Sequence, residues 1–203
     1  MLILKRCLYC QKPLVEENII SLLLSEDKLC LNCRKEMKGK LRKNKYLDYK
    51  LISFYQYDDE SLFKSMLIQY KEAFDEALYP IFLKPYENYL NLLYHDYYLV
   101  LIPSTIEKER KRGFNHLNLI TSNLKLKRKT IGMKEELSQR GKNAKEREKM
   151  IDNYYPISKF KSSDKILLFD DVLTTGSSLQ GAIKCLKPLV KEIVIVTLSL
   201  KNQ

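Results

Sequence analysis

The stretch Ile166-Leu-Leu-Phe-Asp-Asp-Val-Leu-Thr-Thr-Gly-Ser-Ser-Leu179 determines the fold class of this chain. An apolar run followed by turn residues and a helical pattern is typical of a buried strand that leads through a loop into a helix. This predicts an α/β fold with Asp170 and Asp171 at the carboxyl end of a strand, where open α/β sheets bind ligands. An ordinary strand, turn and Ser/Thr-capped helix is the alternative, but adjacent carboxylates are costly there without partners.

The loop after this strand has the composition of a phosphate site. Its backbone N–H groups and hydroxyls can converge on one point, to which the next helix adds its positive end; the residues are Thr174, Thr175, Gly176, Ser177 and Ser178. A phosphate would repel the two carboxylates, so we expect Asp170 and Asp171 to accept hydrogen bonds from ribose hydroxyls instead. Together these features predict a site for a ribose 5-phosphate moiety.

Four cysteines near the start of the chain form the pattern C-x2-C-x19-C-x2-C, with Cys7, Cys10, Cys30 and Cys33. Each C-x2-C turn places two thiolates on one side, and two turns complete a tetrahedral structural zinc site with no open position. Disulfides are the alternative, but the chain shows no secretion signal and is expected to be cytoplasmic, where thiols stay reduced. We predict a zinc-binding module over residues 1–45 and a main domain over residues 46–203.

The net charge of +11 is concentrated in two segments. Residues 34–50 contain eight Lys and Arg against two Asp and Glu, and residues 107–149 contain fourteen against six. Basic patches favour phosphate-rich partners such as single-stranded DNA, and rings near them can stack on bases: Tyr46, Tyr49, Phe114 and Tyr154. A solvated lysine-rich surface is the alternative. Because no apolar run approaches the ~20 residues of a membrane span, no membrane insertion is expected.

Periodicity predicts the remaining elements. Strands are expected over residues 51–57, 97–102 and 192–200, and helices over residues 60–77, 80–94, 117–126 and 179–187. Asp58 and Asp59 are expected to cap the first of these helices. The pattern of residues 19–24 favours a short strand or hairpin, and that of residues 34–45 fits either a helix or a flexible arm.

A basic segment, Glu107-Lys-Glu-Arg-Lys-Arg-Gly-Phe-Asn-His116, follows the predicted strand over residues 97–102. As a loop at this position it could bind a pyrophosphate group if the same ligand carries one, and Arg112 is the candidate residue for that contact. His116 has no acid–base partner that the sequence identifies, so a solvated or capping role is predicted for it.

The segment Phe169-Asp-Asp-Val-Leu-Thr-Thr-Gly-Ser-Ser178 resembles the 5-phosphoribosyl 1-pyrophosphate (PRPP) signature of type I phosphoribosyltransferases. The chain is similar to the ComF family of competence-associated proteins in four features. They are this signature, the tetracysteine pattern, the Arg112-Gly113-Phe114-Asn115 motif and the charged segment at residues 137–150. That family commonly shows RGFNQ, so His116 departs from it. The resemblance implies a mostly parallel sheet flanked by helices, of the type I phosphoribosyltransferase kind, with a small N-terminal zinc ribbon.

The same resemblance implies roles for individual residues. The Thr174 to Ser178 loop would hold the 5-phosphate of PRPP, and Mg²⁺ would be held mainly by the ligand's own oxygens. The charged segment would form a hood from which Arg140, Lys145 and Arg147 reach a diphosphate. The family's role is the handling of single-stranded DNA in natural transformation.

Three functions therefore stay open at this stage. The first is a transferase that displaces pyrophosphate from PRPP, with Asp170 and Asp171 as the catalytic residues. The second is a binding module that keeps the phosphate site and holds single-stranded DNA through the basic segments. The third is an adaptor whose zinc ribbon docks a DNA-uptake helicase.

Overall fold

A six-stranded sheet forms the centre of the computed structural model, which describes residues 5–14, 27–134 and 153–201. The described strands are β1 (Arg42–Tyr46), β2 (Tyr49–Gln56), β3 (Tyr98–Leu101), β4 (Lys127–Arg128), β5 (Ile131–Met133), β6 (Tyr154–Pro156), β7 (Lys165–Leu173) and β8 (Glu192–Leu200). The central sheet has the order β1, β2, β8, β7, β3, β4, and each neighbouring pair except β1 with β2 is parallel. Strands β5 and β6 form a separate antiparallel pair. The predicted α/β class with a mostly parallel sheet is confirmed.

Helices connect these strands. The described helices are α1 (Leu31–Glu36), α2 (Leu62–Glu72), α3 (Tyr79–Leu83), α4 (Glu87–Leu93), α5 (Ile106–Arg112), α6 (His116–Ile120) and α7 (Ser177–Leu186), with 3-10 turns at Glu76–Leu78 and Lys84–Tyr86. The prediction of one helix over residues 80–94 is wrong. Pro85 lies in the second 3-10 turn and has no N–H for the helical ladder, so the chain breaks into α3 and α4 there.

Helix α2 begins later than predicted. Ser61 is its N-cap, and its hydroxyl accepts a hydrogen bond from the backbone N–H of Lys64 at 3.2 Å. The prediction that Asp58 and Asp59 cap this helix is therefore wrong, and Asp59 pairs with the Lys64 side chain instead. The apolar face is the predicted one, because its buried residues are Leu62, Phe63, Met66, Leu67 and Tyr70.

Burial on both faces of the sheet explains the apolar runs of β7 and β8. Ile166, Leu167, Leu168 and Phe169 are fully buried, and the buried part of β8 spans residues 193–199. Such burial is expected for central strands of a parallel sheet. The apolar run ends at Asp170, so polar side chains begin where β7 reaches the carboxyl edge of the sheet.

The cysteine-bearing segment packs against this core. Cys7, Leu29, Cys33 and Met37 are buried in the same apolar cluster as the central strands. Arg34 pairs with Asp27 at 2.5 Å and donates to the carbonyl oxygen of Ile81 at 2.7 Å. Residues 34–45 are therefore neither a single helix nor a flexible arm, since they end α1 and then form β1. The predicted division between residues 45 and 46 stays a prediction, and β1 runs through it.

Two sequence predictions lie outside the described residues: the strand or hairpin at residues 19–24, and the charged segment at residues 137–150. Among the helices in the described ranges, none combines the length and apolar character needed to span a bilayer.

Candidate functional site at the carboxyl edge of the sheet

Asp170 and Asp171 lie at the end of β7, as predicted, but their surroundings differ. Asp170 is half-buried, and its Oδ1 accepts a hydrogen bond from the backbone N–H of Asp171 at 2.8 Å. Asp171 is only 6% exposed, and its Oδ1 accepts from the backbone N–H of Val172 at 2.7 Å. Of the two carboxylates, Asp170 is the one that a ligand can reach more easily.

Two side chains occupy the other oxygen of Asp171. Lys71 Nζ from the end of α2 lies 2.6 Å from Oδ2, and His116 Nε2 from the start of α6 lies 2.8 Å from the same atom. A carboxylate inside a protein needs such partners, because burying a charge without them is costly. Asp171 thus joins β7 to two helices.

These contacts separate the pKa values of the neighbouring carboxyl groups. Burial alone would raise the pKa of Asp171, but the charge of Lys71 and the hydrogen bond from His116 outweigh it and hold the pKa below its usual range. Burial, followed by repulsion from Asp171, raises the pKa of Asp170. The site therefore contains one firmly ionised carboxylate and one that holds its proton more readily.

His116 corrects the sequence prediction. It is 5% exposed, so it is not solvated, and its partner is Asp171. Burial lowers its pKa, as do the charges of Lys71 and Arg112, while Asp171 acts in the opposite direction. The ring is therefore held in its neutral form at neutral pH.

The Arg112-Gly113-Phe114-Asn115 motif shapes the backbone around His116. Gly113 ends α5 in a left-handed conformation with φ of 82°, and Asn115 caps α6 by accepting from the backbone N–H of Asn118. The Asn115 amide also donates to Glu109 at 2.6 Å, and Phe114 packs on Tyr70 with 5.3 Å between ring centroids.

The predicted loop at residues 107–116 is therefore mostly helix. Thr105 caps α5, acidic residues occupy its first turn and basic residues its last: Arg110, Lys111 and Arg112. This order complements the helix dipole, and it is the signal in the sequence that indicates a helix.

The predicted phosphate loop leads from β7 into α7. Gly176 is the N-cap of α7 with φ of 78°, and the Thr175 and Ser177 hydroxyls lie 3.1 Å apart. Tyr46 from β1 covers this turn, and its hydroxyl accepts a hydrogen bond from the Gln180 amide at 3.0 Å. A side chain at position 176 would collide with that hydroxyl, so glycine is required there for two reasons.

A cleft of about 350 Å³ joins these parts. Its lining includes Lys71, Ser104, Lys108, Arg112, His116, Tyr154, Asp170, Asp171, Thr174 and Ser178. The structure thus brings Arg112, both carboxylates and two residues of the phosphate loop to one place. The other three loop residues, Thr175, Gly176 and Ser177, do not line the cleft.

Lys71 and Lys108 are site residues that the sequence analysis missed. Lys71 lies 100 residues before Asp171 in the chain, so no local spacing connects them. The hood residues Arg140, Lys145 and Arg147 lie outside the described residues.

The four cysteines of the N-terminal pattern come together as predicted. The Sγ atoms of Cys7, Cys10, Cys30 and Cys33 all lie within 4.8 Å of one another, and all four thiols are free. Although burial opposes it, hydrogen bonds from backbone N–H groups of Cys10, Cys30 and Tyr9 lower the pKa of Cys7 to about 7. Four thiols at these distances can hold a metal ion such as zinc.

The chain is similar to a curated protein and to several solved structures. No family model matches the chain. Competence protein ComFC of Bacillus subtilis (strain 168) is 24% identical over 215 residues, which cover 89% of this chain and 88% of that protein. The predicted resemblance to the ComF family is confirmed.

Three solved phosphoribosyltransferases are similar to this chain at low TM-scores. A hypoxanthine phosphoribosyltransferase from Staphylococcus aureus has a TM-score of 0.36 and 14% identity, covering 60% of this chain and 62% of its own. Adenine phosphoribosyltransferase from Leishmania tarentolae has a TM-score of 0.38 and 12% identity over 79% of this chain and 94% of its own. Adenine phosphoribosyltransferase from Saccharomyces cerevisiae has a TM-score of 0.39 and 13% identity, covering 81% of this chain and 88% of its own.

Proposed function

We propose that this chain binds a 5-phosphoribosyl ligand of the PRPP type in the cleft and handles single-stranded DNA in competence. The observation that carries the first part is that Asp170, Arg112 and the two loop residues Thr174 and Ser178 line one cleft. The second part rests on the basic strand β1 and on the similarity to a competence protein.

Each part of the cleft suits one part of such a ligand. The loop at the N-terminus of the ten-residue helix α7 offers backbone N–H groups and hydroxyls to the 5-phosphate. We assign the contact with a ribose hydroxyl to Asp170, because Asp171 already accepts from Lys71 and His116. Arg112 offers a planar set of donors to a diphosphate.

Metal ions enter the proposal in two ways. Mg²⁺ would arrive with PRPP, coordinated mainly by the ligand's own oxygens. The four cysteines would hold zinc in a structural role, because their thiols suit this ion and leave no coordination position for a reactant. We also propose that the chain is cytoplasmic and that its cysteine module docks a DNA-uptake helicase.

Calorimetric titration of the wild-type chain with PRPP and Mg²⁺ tests the ligand. We expect Asp170→Asn to weaken binding between about twofold and tenfold, because Asp170 holds its proton readily and a hydrogen bond between uncharged groups is worth ~0.5–1.5 kcal/mol. Lys187→Ala is the matched control, since Lys187 is exposed at the opposite end of α7. If wild type binds no PRPP, or if Lys187→Ala weakens binding as much as Asp170→Asn, the assignment of this cleft is wrong.

A phosphoribosyltransferase reaction is the second candidate function. The cations around the cleft favour it, because Arg112 and Lys108 line the cleft and their charges would stabilise a departing pyrophosphate. In that reaction an acceptor would attack the anomeric carbon as the bond to pyrophosphate breaks. Release of pyrophosphate from PRPP, measured with a panel of bases and amines, tests this function. Release that persists in Arg112→Ala would exclude the proposed role of the cation.

A further inference from the structure

His116 lies between two charged residues of the site and contacts both. Its Nδ1 is 3.0 Å from Arg112 Nη1, and its Nε2 is 2.8 Å from Asp171 Oδ2. The Ser104 hydroxyl approaches Nδ1 at 3.5 Å, and the Tyr70 hydroxyl donates to the backbone carbonyl of His116 at 2.8 Å. One imidazole ring thus bridges α5 and β7.

The chemistry of the two partners fixes the protonation state of this ring. A guanidinium group can only donate, so Nδ1 must present its lone pair to Arg112. The ionised carboxylate of Asp171 can only accept, so Nε2 must carry the proton. The geometry is therefore consistent with a single form of the ring, the neutral Nε2–H tautomer.

Protonation would change only one of the two contacts. A second proton on Nδ1 would face the Arg112 donor, so that hydrogen bond would be lost and two positive groups would stand 3.0 Å apart. The bond to Asp171 would remain. Lys71 also approaches the ring, from α2, and its charge disfavours protonation.

We propose that His116 is a positioning residue that holds Arg112 at the cleft through its neutral ring and releases Arg112 when the ring is protonated. The role rests on the proposed function, because Arg112 is there assigned to the diphosphate of the ligand. His116 itself need not touch the ligand. Its effect on binding passes through the guanidinium that it orients.

The first experiment needs no ligand. His95→Gln leaves His116 as the single histidine, and its ring nitrogens can then be followed by ¹⁵N NMR in the full chain from pH 8.5 to pH 4.5. We expect the Nε2–H tautomer at pH 7.5, and we expect the Arg112 guanidinium signals to broaden as the ring takes up its second proton. The proposal would be overturned by an Nδ1–H tautomer, or by Arg112 guanidinium signals that stay unchanged while His116 titrates.

The second experiment uses His116→Gln, whose amide can donate to Asp171 and accept from Arg112 but does not titrate. Affinity for PRPP with Mg²⁺ is measured one pH unit above and one below the midpoint found by NMR. Protonation of PRPP affects both proteins equally. The ratio of their dissociation constants therefore reports the effect of protonating His116 alone.

We expect near-equal affinities above the midpoint and about tenfold weaker binding by wild type below it, as for the loss of one charged hydrogen bond. An unchanged ratio overturns the proposal. Absence of binding by both proteins above the midpoint would instead reject the proposed PRPP function, and the NMR titration would still decide whether His116 holds Arg112.

Discussion

His116 Nε2 lies 2.8 Å from Asp171 Oδ2, although 55 residues separate the two positions in the chain. The contact fixes the first turn of α6 to the carboxyl end of β7, and Lys71 adds α2 to the same carboxylate. Three elements of the fold therefore meet at one buried negative charge. Asp171 is consequently a residue on which both stability and the shape of the cleft depend, whereas its neighbour Asp170 is the more accessible group.

The two carboxylates should respond in opposite ways to the same substitution. Asp171→Asn removes the charge that Lys71 and His116 face, and we expect it to lower the free energy of unfolding by about 3 kcal/mol at pH 7.5. Asp170→Asn should leave stability unchanged or raise it, because ionised Asp170 is penalised by burial and by Asp171. Urea unfolding at pH 7.5 measures both. Equal destabilisation by the two variants would contradict this assignment.

On mild acidification Asp170, whose pKa is raised on folding, should contribute a gain in stability, whereas His116 should contribute a loss. The pKa of His116 is lowered on folding, so the unfolded chain binds the proton more readily, and the contribution of His116 to stability falls with pH from about the ordinary histidine pKa of ~6.5. The loss continues until the pH passes the folded-state pKa. His116→Gln should remove this loss, so the stability of the variant should fall less, or rise more, than that of wild type as the pH is lowered through this window. Urea unfolding at half-unit pH steps will measure the difference. The same slope in both proteins would show that another group is responsible.

The sequence predicts the centre of this fold better than its periphery. Strands β7 and β8 follow from apolar runs that only burial on both faces explains, and the position of Asp170 follows from the end of such a run. Helix α5 was missed because it has no buried residue and hence no apolar period. Its Thr105 cap and Gly113 terminus were available signals.

The roles of Lys71 and His116 could not be predicted from the sequence. Both roles depend on contacts with Asp171, which lies 100 residues from Lys71 and 55 residues from His116 in the chain. A local sequence pattern cannot indicate such distant contacts. The cysteine cluster was predictable for the opposite reason. The spacing of the four cysteines in two C-x2-C pairs is itself typical of a tetrahedral zinc site.

The cysteine cluster should bind about one zinc ion per chain and contribute to folding. Cys30→Ser removes one ligand, and we expect loss of zinc together with a fall in melting temperature of about 5 °C or more. Cys185→Ser is the control, because Cys185 lies on α7 outside the cluster. Metal analysis and thermal unfolding give the two readouts. Retention of zinc by Cys30→Ser, or loss of zinc by Cys185→Ser, would contradict the assignment.

Strand β1 should form part of the DNA-binding surface. Lys43 and Lys45 are exposed on it, and the strand ends at Tyr46 beside the phosphate loop, whereas Arg34 is held by Asp27. Replacing both lysines with alanine should reduce the salt dependence of oligonucleotide affinity by ~1.4, since each phosphate contact on a single strand contributes ~0.7. The double variant Lys187→Ala/Lys191→Ala should leave the slope unchanged. If both double variants reduce it equally, the binding is diffuse and β1 is not the footprint.

Among the residues that the structure describes, two glycines have a positive φ, and they provide a matched test of the proposed phosphate loop. Gly113→Ala should cost about 1 kcal/mol, because its φ of 82° is strained for alanine but no atom lies within 4 Å of the new methyl group. Gly176→Ala has a similar φ of 78°, and its methyl group would also collide with the Tyr46 hydroxyl. We therefore expect it to cost at least about 1 kcal/mol more and to weaken PRPP binding.

Adding Tyr46→Ala to Gly176→Ala separates the two causes. The pair should recover the part of the loss that comes from the collision and keep the part that comes from φ, so the two substitutions should be strongly non-additive. Urea unfolding of the two single variants and the double variant measures this coupling. Purely additive losses would mean that Tyr46 does not press on the loop, and its place as the cover of the phosphate site would have to be abandoned.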